Sequence, residues 1–238
     1  MLRMLLQDER KYIKILPQPT DVSCGPTCLH AVYNYYGDQL DLNKVIDEVT
    51  QVNGGGTLAV MLANHALARG YQTKIYTYNL HVFDPTWFQQ EVDIVEKLKE
   101  QSRHKKSNKL KQATKAYLKY LQSGGKMFFE ELTPDLIKGF LKKRTPILTG
   151  LSATYLYQSA REIGDINIYH DTKGEPSGHF VVLCDYDEIN DKVLIADPLD
   201  PNPISDTNQY YAVDTQRVVN AILLGIVTYD ANLLIIEP

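Results

Sequence analysis

The sequence predicts an α+β fold in which an N-terminal helical lobe, about 20–140, packs on a C-terminal antiparallel β-sheet, about 145–238. Three observations lead there. Apolar residues recur at three-to-four spacing through the first half, the mark of helices with one buried face. After Pro146 short β-branched runs separated by turn residues take over. With 238 residues, 44% hydrophobic and 23% charged, the chain reads as a single domain over 1–238 that buries its own core without disulfides.

The elements follow in order. An extended stretch from Tyr12 to Pro17 reaches a turn at Pro17-Gln18-Pro19-Thr20-Asp21, and a helix runs from about Cys24 to Tyr36, stopped by Gly37. A second helix spans Asp41 to Val49. Thr57 is the expected cap of a third, which continues through Ala68 and ends at Gly70. A strand is expected over Gln72 to Tyr78. From about 86 to 140 the pattern is helical with one break at Gly124-Gly125, a helical insert whose basic part carries Leu110, Ala113, Tyr117 and Leu121 along one stripe. Strands are then expected at Ile147–Leu151, Phe180–Tyr186, Lys192–Ala196, Tyr210–Val213, Ile226–Tyr229 and Leu233–Ile236. The second and third of these form a hairpin through Asp187 to Asp191.

Composition removes several classes of function. The longest apolar stretch, Ala221 to Val227, is far shorter than the roughly 20 residues of a spanning helix, and charge interrupts the N-terminus before a signal-peptide core forms. No membrane partner and a cytoplasmic location are therefore expected. Three cysteines, Cys24, Cys28 and Cys184, are too few and too odd for a secreted disulfide framework. Net charge is −4, yet Lys97 to Lys119 holds nine Lys or Arg against Glu100 alone. That basic helix could meet an acidic partner. Nucleic acid is not the expected partner, because Tyr117 is its lone aromatic and offers little stacking surface.

The chemistry concentrates around Cys24. A cysteine in the first turn of a helix, with Ser23 able to cap and Pro26 tolerated only in that turn, has backbone N–H groups and the positive dipole end beside its sulfur. That setting favours a nucleophilic thiolate. Cys28 and Cys184 read as buried core thiols. A thiol nucleophile needs a base, and His179 stands at the start of a strand in Pro176-Ser177-Gly178-His179-Phe180, where the small Gly178 leaves room for substrate. Asp197 ends the paired strand in Ile195-Ala196-Asp197-Pro198, placed to orient the imidazole. Ser23 and Gly25 flank the sulfur, and Tyr155 and Tyr157, with Arg161 and Tyr169 further on, lie in the approach to His179 where loops shape pockets. Ser23, Gly25, Gly178, Tyr155 and Tyr157 are thus the candidate substrate-binding residues.

These segments carry a family resemblance. Leu16-Pro17-Gln18 leading into Asp21 to Leu29, then Gly178 to Leu183, then Val193 to Pro198, make the chain similar to the C39-like cysteine peptidases of the papain-like superfamily. The resemblance implies a papain-like fold, Cys24 as nucleophile, His179 as general base and acid, Asp197 as the orienting residue and Gln18 as an oxyanion-hole donor. For Gln18 the physics agrees: its amide and the Cys24 N–H could converge on a developing oxyanion, where such donors are worth about 3–4 kcal/mol apiece. The expected activity is cleavage of a peptide or amide, with no cofactor. The same site also suits acyl transfer or peptide ligation, and an inactive peptide-binding module is the non-enzymatic alternative. Members fused to membrane transporters remove leader peptides, but neither a spanning segment nor a Gly-x-x-x-x-Gly-Lys loop is present, so that role is not expected.

Three other motifs are set aside. Cys24, Cys28 and His30 lack the second ligand pair of a zinc site. Asp185 to Asp191 lacks the glycine and terminal glutamate of a calcium loop. Asn53 to Gly56 has no following lysine and reads as a loop before a helix, not a phosphate cradle.

Overall fold

The structure, a computed structural model, describes residues 12–53, 55–89, 92–164, 168–205 and 208–238. Within them helices α1 (Cys24–Tyr35), α2 (Leu42–Glu48) and α3 (Ala59–Ala68) precede strand β1 (Gln72–Thr77). Then come α4 (Thr86–Gln89), α5 (Ile94–His104), α6 (Asn108–Gln122), β2 (Lys126–Phe128) and α7 (Pro134–Lys142). The second half holds β3 (Ile147–Ser152), α8 (Ala153–Tyr157), the small hairpin β4 (Glu162–Ile163) and β5 (Ile168–Tyr169), β6 (Gly178–Asp187), β7 (Lys192–Ala196) and β8 (Tyr210–Asp214). It ends with α9 (Thr215–Leu224), a 3-10 turn (Gly225–Thr228) and β9 (Asn232–Glu237).

Among the described residues seven strands form one sheet in the order β2-β1-β9-β3-β6-β7-β8. Every pairing is antiparallel except β1 with β2. Alternation sends Phe180 and Val182 of β6, Leu148 of β3 and Leu234 and Ile236 of β9 to one face, against α1, α3 and α6. Val181 and Leu183, Ile147 and Leu151, and Leu233 and Ile235 face the opposite way, against α7, α8 and α9. The N-terminal helices thus pack on the sheet as expected, and later helices cover its other side.

Three expectations need correction. The helix α3 is capped at Leu58 without a side-chain bond, so Thr57 is not its cap. The 86–140 block is not purely helical, because Lys126 to Phe128 joins the sheet beside β1. Tyr120 directs this: fully buried, its hydroxyl donates to Lys126 O at 2.9 Å and accepts from Lys126 N at 3.1 Å, also meeting Thr73 on β1. Ile226–Tyr229 is not a strand; it lies within and just after the 3-10 turn that ends α9. There Val218, Val219 and Ile222 sit at helical spacing and bury against the sheet, a period hidden by their β-branched composition. The basic residues of α5 and α6 face solvent above buried Leu98, Leu110, Ala113, Tyr117 and Tyr120.

Candidate active site

The site forms where the start of α1 meets the start of β6. Gly25 lets the two approach: a β-carbon there would lie 3.3 Å from both Leu62 Cδ1 and Phe180 Cδ2. One turn on, the Cys28 thiol donates to Phe180 O at 3.2 Å. These contacts fix the first residue of α1, Cys24, beside the residue before Phe180, which is His179. The Cys24 side chain is half-buried. Ser23 does not cap the helix with its side chain. Its hydroxyl instead accepts from Thr20 N at 3.0 Å and donates to Thr20 O at 2.8 Å, closing the preceding turn. Ser23 is fully buried, which makes it a support of the turn.

His179 and Asp197 come together across the β6–β7 hairpin as the sequence suggested. Nε2 of His179 is 2.7 Å from Oδ1 of Asp197, with the imidazole 7% exposed and the carboxylate not at all. The same oxygen accepts from Leu199 N at 2.9 Å, while Oδ2 accepts from the Tyr157 hydroxyl at 2.8 Å and the Tyr211 hydroxyl at 2.5 Å. A buried carboxylate with four donors is well matched. Burial works against its charge, but the His179 cation, Tyr211 and the Leu199 N–H hold the carboxyl below its ordinary range. For His179, burial likewise opposes the cation, yet the Asp197 carboxylate, with a contribution from Cys24, raises the imidazole to about 10. Cys24 is thus in electrostatic contact with His179. Since Nε2 is taken by Asp197, Nδ1 is the ring nitrogen left for the sulfur.

The other thiols differ. Burial, reinforced by Cys24 and Asp197, pushes the Cys28 thiol well up. Burial does the same for Cys184, whose sulfur donates to Leu194 O at 3.3 Å. Cys28 and His30 do not converge on a metal with Cys24: His30 Nε2 is 3.0 Å from Leu40 O, and no group of three ligating side chains occurs among the described residues.

Gln18 is held close to Asp197 by its backbone, its N–H donating to Pro198 O at 2.8 Å, one residue past that carboxylate. The stretch leading to it is tied to β8, where the Tyr210 hydroxyl accepts from Ile15 N and donates to Ile13 O, both at 3.0 Å. In this conformation Gln18 Nε2 donates to Thr20 O at 3.1 Å. Tyr157, expected against substrate, stands behind Asp197 with its ring centroid 6.2 Å from that of His179. Tyr155 and Arg161 do share a recess, about 400 Å³ in volume, with Ser152, Pro176, Leu224 and Val227. That recess adjoins Gly178, since Ser152 pairs with Gly178 across β3 and β6. Tyr169 is exposed on β5, away from that lining. The space beside Gly178 is not empty: a β-carbon there would be 2.5 Å from Thr228 Oγ1 and 2.9 Å from Asp230 Oδ2. Tyr211 and Asp230 escaped the sequence reading. Tyr211 sits on a strand whose alternation was visible, but its partner lies 14 residues away in sequence.

The model of the Peptidase_C39 like family matches residues 10–222. Among solved structures, a chain assigned as a C39-like peptidase from Bacillus anthracis is 15% identical, aligned over 97% of this chain and 98% of its own, with a TM-score of 0.51. The peptidase domain of Streptococcus ComA, a bifunctional ABC transporter, is 14% identical over 95% and 99% of the two chains at a TM-score of 0.45. Xylellain, a cysteine protease from Xylella fastidiosa, is 12% identical over 94% and 82% at 0.44. No curated protein matches. No helix among the described residues is long and apolar enough to cross a membrane.

Proposed function

The chain belongs to the Peptidase_C39 like family and has the papain-like fold of its peptidases, and from that premise we propose that it is a thiol peptidase or amidohydrolase acting through Cys24, His179 and Asp197. The observation that carries the reading is the buried 2.7 Å contact of His179 Nε2 with Asp197 Oδ1, on an imidazole that also interacts with Cys24. Cys24 Sγ attacks the carbonyl carbon of a peptide or amide, forming a C–S bond as the carbonyl oxygen becomes negative. His179 gives its proton to the leaving amine, and the C–N bond breaks. Water then attacks the thioester with His179 taking its proton, which releases the acid and restores the thiol. Asp197 stays ionised throughout, fixing the tautomer and favouring the imidazolium.

The oxyanion forms next to the first turn of α1, where the Cys24 N–H is the nearest backbone donor by position. Gln18 supplies the second donor in this reading. Its backbone anchor to Pro198 keeps the side chain at the site, and a rotation of the amide off Thr20 O would free Nε2 for substrate. The recess beside Gly178, with Tyr155 and Arg161, receives part of the peptide. The test is incubation of wild type and Cys24→Ala with a broad peptide library, with and without an amine acceptor, followed by mass spectrometry. Cleavage lost in a folded Cys24→Ala variant supports the reading; products joined to the amine would move it to acyl transfer. Cleavage that survives in the variant would refute it.

A further inference from the structure

The recess beside Gly178 holds a charge that bond cleavage itself does not need. Three segments build it. The short helix α8 supplies Thr154 and Tyr155 and is laced to the approach to His179: Ala153 N donates to Ser177 O at 2.9 Å, and Ser177 N donates to Thr154 Oγ1 at 3.1 Å. The end of α9 and the 3-10 turn supply Leu224 and Val227, 42% and 57% exposed, and Pro176 adds further apolar surface. That wall is fixed by the link to β9. Asp230 N donates to Gly225 O at 2.9 Å and Asn79 Nδ2 donates to Tyr229 O at 2.8 Å, which holds Tyr229 (φ 72°) and Ala231 (φ 65°) in a left-handed conformation unfavourable to both.

Arg161 completes the lining as its cation. Its carbonyl accepts from His170 N at 2.7 Å, and its guanidinium donates to Asp171 O. These bonds anchor the side chain without neutralising it. The neighbouring acids are otherwise engaged: Glu162 and Glu175 exchange backbone hydrogen bonds at 3.0 and 2.8 Å, and the Asp171 carboxylate lies 3.7 Å from His170 Nδ1. No carboxylate among the described residues pairs with Arg161. In the same recess the Ser159 hydroxyl is shielded from solvent and has no hydrogen-bond partner among the described residues. A buried hydroxyl left unmatched is costly, and an incoming acceptor would relieve it. An anchored guanidinium with donors to spare, one idle hydroxyl and apolar walls together suit an aliphatic stem that ends in a carboxylate.

We propose that this recess is a specificity subsite for an acidic side chain of the substrate, glutamate above all, with Arg161 as the residue that selects it. The inference rests on the reading of the chain as a thiol peptidase or amidohydrolase and adds the charge of the substrate to it. The position of the selected residue follows from the lacing of the wall. Thr154 bonds Ser177, which stands two residues before His179, a separation of about 7 Å along extended backbone. A bound peptide advances by about the same length per residue, so the acidic side chain belongs to a position within about two or three residues of the bond that is cut. Glutamine has the shape of glutamate without its charge. It therefore loses the ionic contact with Arg161 and keeps the contacts with Pro176, Leu224 and Val227.

The test is a positional-scanning peptide library in which each position in turn is glutamate, glutamine or lysine, cut by the full chain and read by mass spectrometry. Wild type is expected to prefer glutamate over glutamine about tenfold at one position near the cut, the size of one charge-assisted hydrogen bond, and the preference should shrink with added salt. Arg161→Gln should bring that ratio close to unity, and Arg161→Glu should turn the preference toward lysine. Should the Arg161 variants not fold, Val227→Asp places an opposing charge on the exposed wall and should narrow the glutamate preference while Arg161 stays in place. Wild type without a glutamate preference near the cut overturns the proposal. Equal losses on glutamate and glutamine peptides in Arg161→Gln overturn it too, since a residue that merely holds the chain would act on both alike, as does a ratio unmoved in Val227→Asp. An absence of any cleavage that depends on Cys24 instead overturns the reading of the reacting thiol, and the subsite with it.

Discussion

The Tyr211 hydroxyl lies 2.5 Å from Oδ2 of Asp197, the oxygen that His179 does not use. Tyr157 shares that oxygen at 2.8 Å. Two phenols from different elements thus brace a carboxylate that has no exposure of its own. Burial with Asp197 nearby raises both phenols, so each remains a proton donor throughout the working range.

Removing one brace weakens the anion and loosens its aim. A hydrogen bond to a charged group is worth about 1.5–3 kcal/mol, so Tyr211→Phe is expected to lower kcat/KM about tenfold or more. Tyr157→Phe acts in the same direction. The two share one oxygen, so their effects should couple instead of adding, and a double-mutant cycle on kcat/KM measures the coupling. Additive losses would mean that the phenols serve separate purposes.

Thiol reactivity should separate by position. Cys28 is fully buried and Cys184 is raised by burial, while Cys24 is half-buried at a helix start beside His179. Brief iodoacetamide treatment of the folded chain is expected to label Cys24 at least about tenfold faster than the other two, since thiolate character and access govern the rate. Peptide mapping reads this directly. In denaturant all three cysteines should label alike.

Stability should fall as pH rises above neutrality. His179 is raised to about 10 when folded, so its stabilising contribution is complete below its ordinary value of 6.5 and is lost as pH climbs through the folded value. Asp197 is lowered, so its contribution is present above the ordinary carboxylate range and is lost only on acidification through its folded value. Asp230 is raised to about 7 by burial, so its contribution is complete below the ordinary carboxylate range and is lost as pH climbs through that value. Denaturant melts are therefore expected to show greatest stability in mildly acidic solution, with a decline toward alkaline pH that Asp197→Asn flattens. A variant that declines as steeply as wild type would break the link to this pair.

The placement of Cys24, His179 and Asp197 was legible in the sequence because each sits at a boundary that local rules mark. A proline in a first turn, a glycine before a strand and a proline after one announce α1, β6 and the end of β7. What brings them together is the β6–β7 hairpin, whose connecting residues were also readable. The roles of Tyr157 and Tyr211 were not, since a hydroxyl's partner across a core leaves no trace in spacing. Asp230 was hidden twice: the β-branched run Ile226–Tyr229 read as a strand where a 3-10 turn stands, and the left-handed Tyr229 follows no glycine or asparagine signal. The strand β2 was masked for a similar reason, its three residues being recruited by Tyr120 and not by any pattern of their own.

The two glycines nearest the site should answer differently to alanine. At Gly25 a methyl would meet the ends of Leu62 and Phe180 at 3.3 Å, contacts that small rotations relieve, and alanine also gains about 0.5–1 kcal/mol in helix propensity. Gly25→Ala is expected to leave stability within about 1 kcal/mol of wild type. At Gly178 the methyl would collide with Thr228 Oγ1 at 2.5 Å and with the Asp230 carboxyl at 2.9 Å, both held by a strained link that has little freedom. Overpacking of that kind costs about 1–3 kcal/mol. Urea melts of both variants provide the comparison. A Gly178→Ala protein as stable as wild type would show that Thr228 and the Asp230 carboxyl yield easily and that the link is not held as tightly as its hydrogen bonds imply.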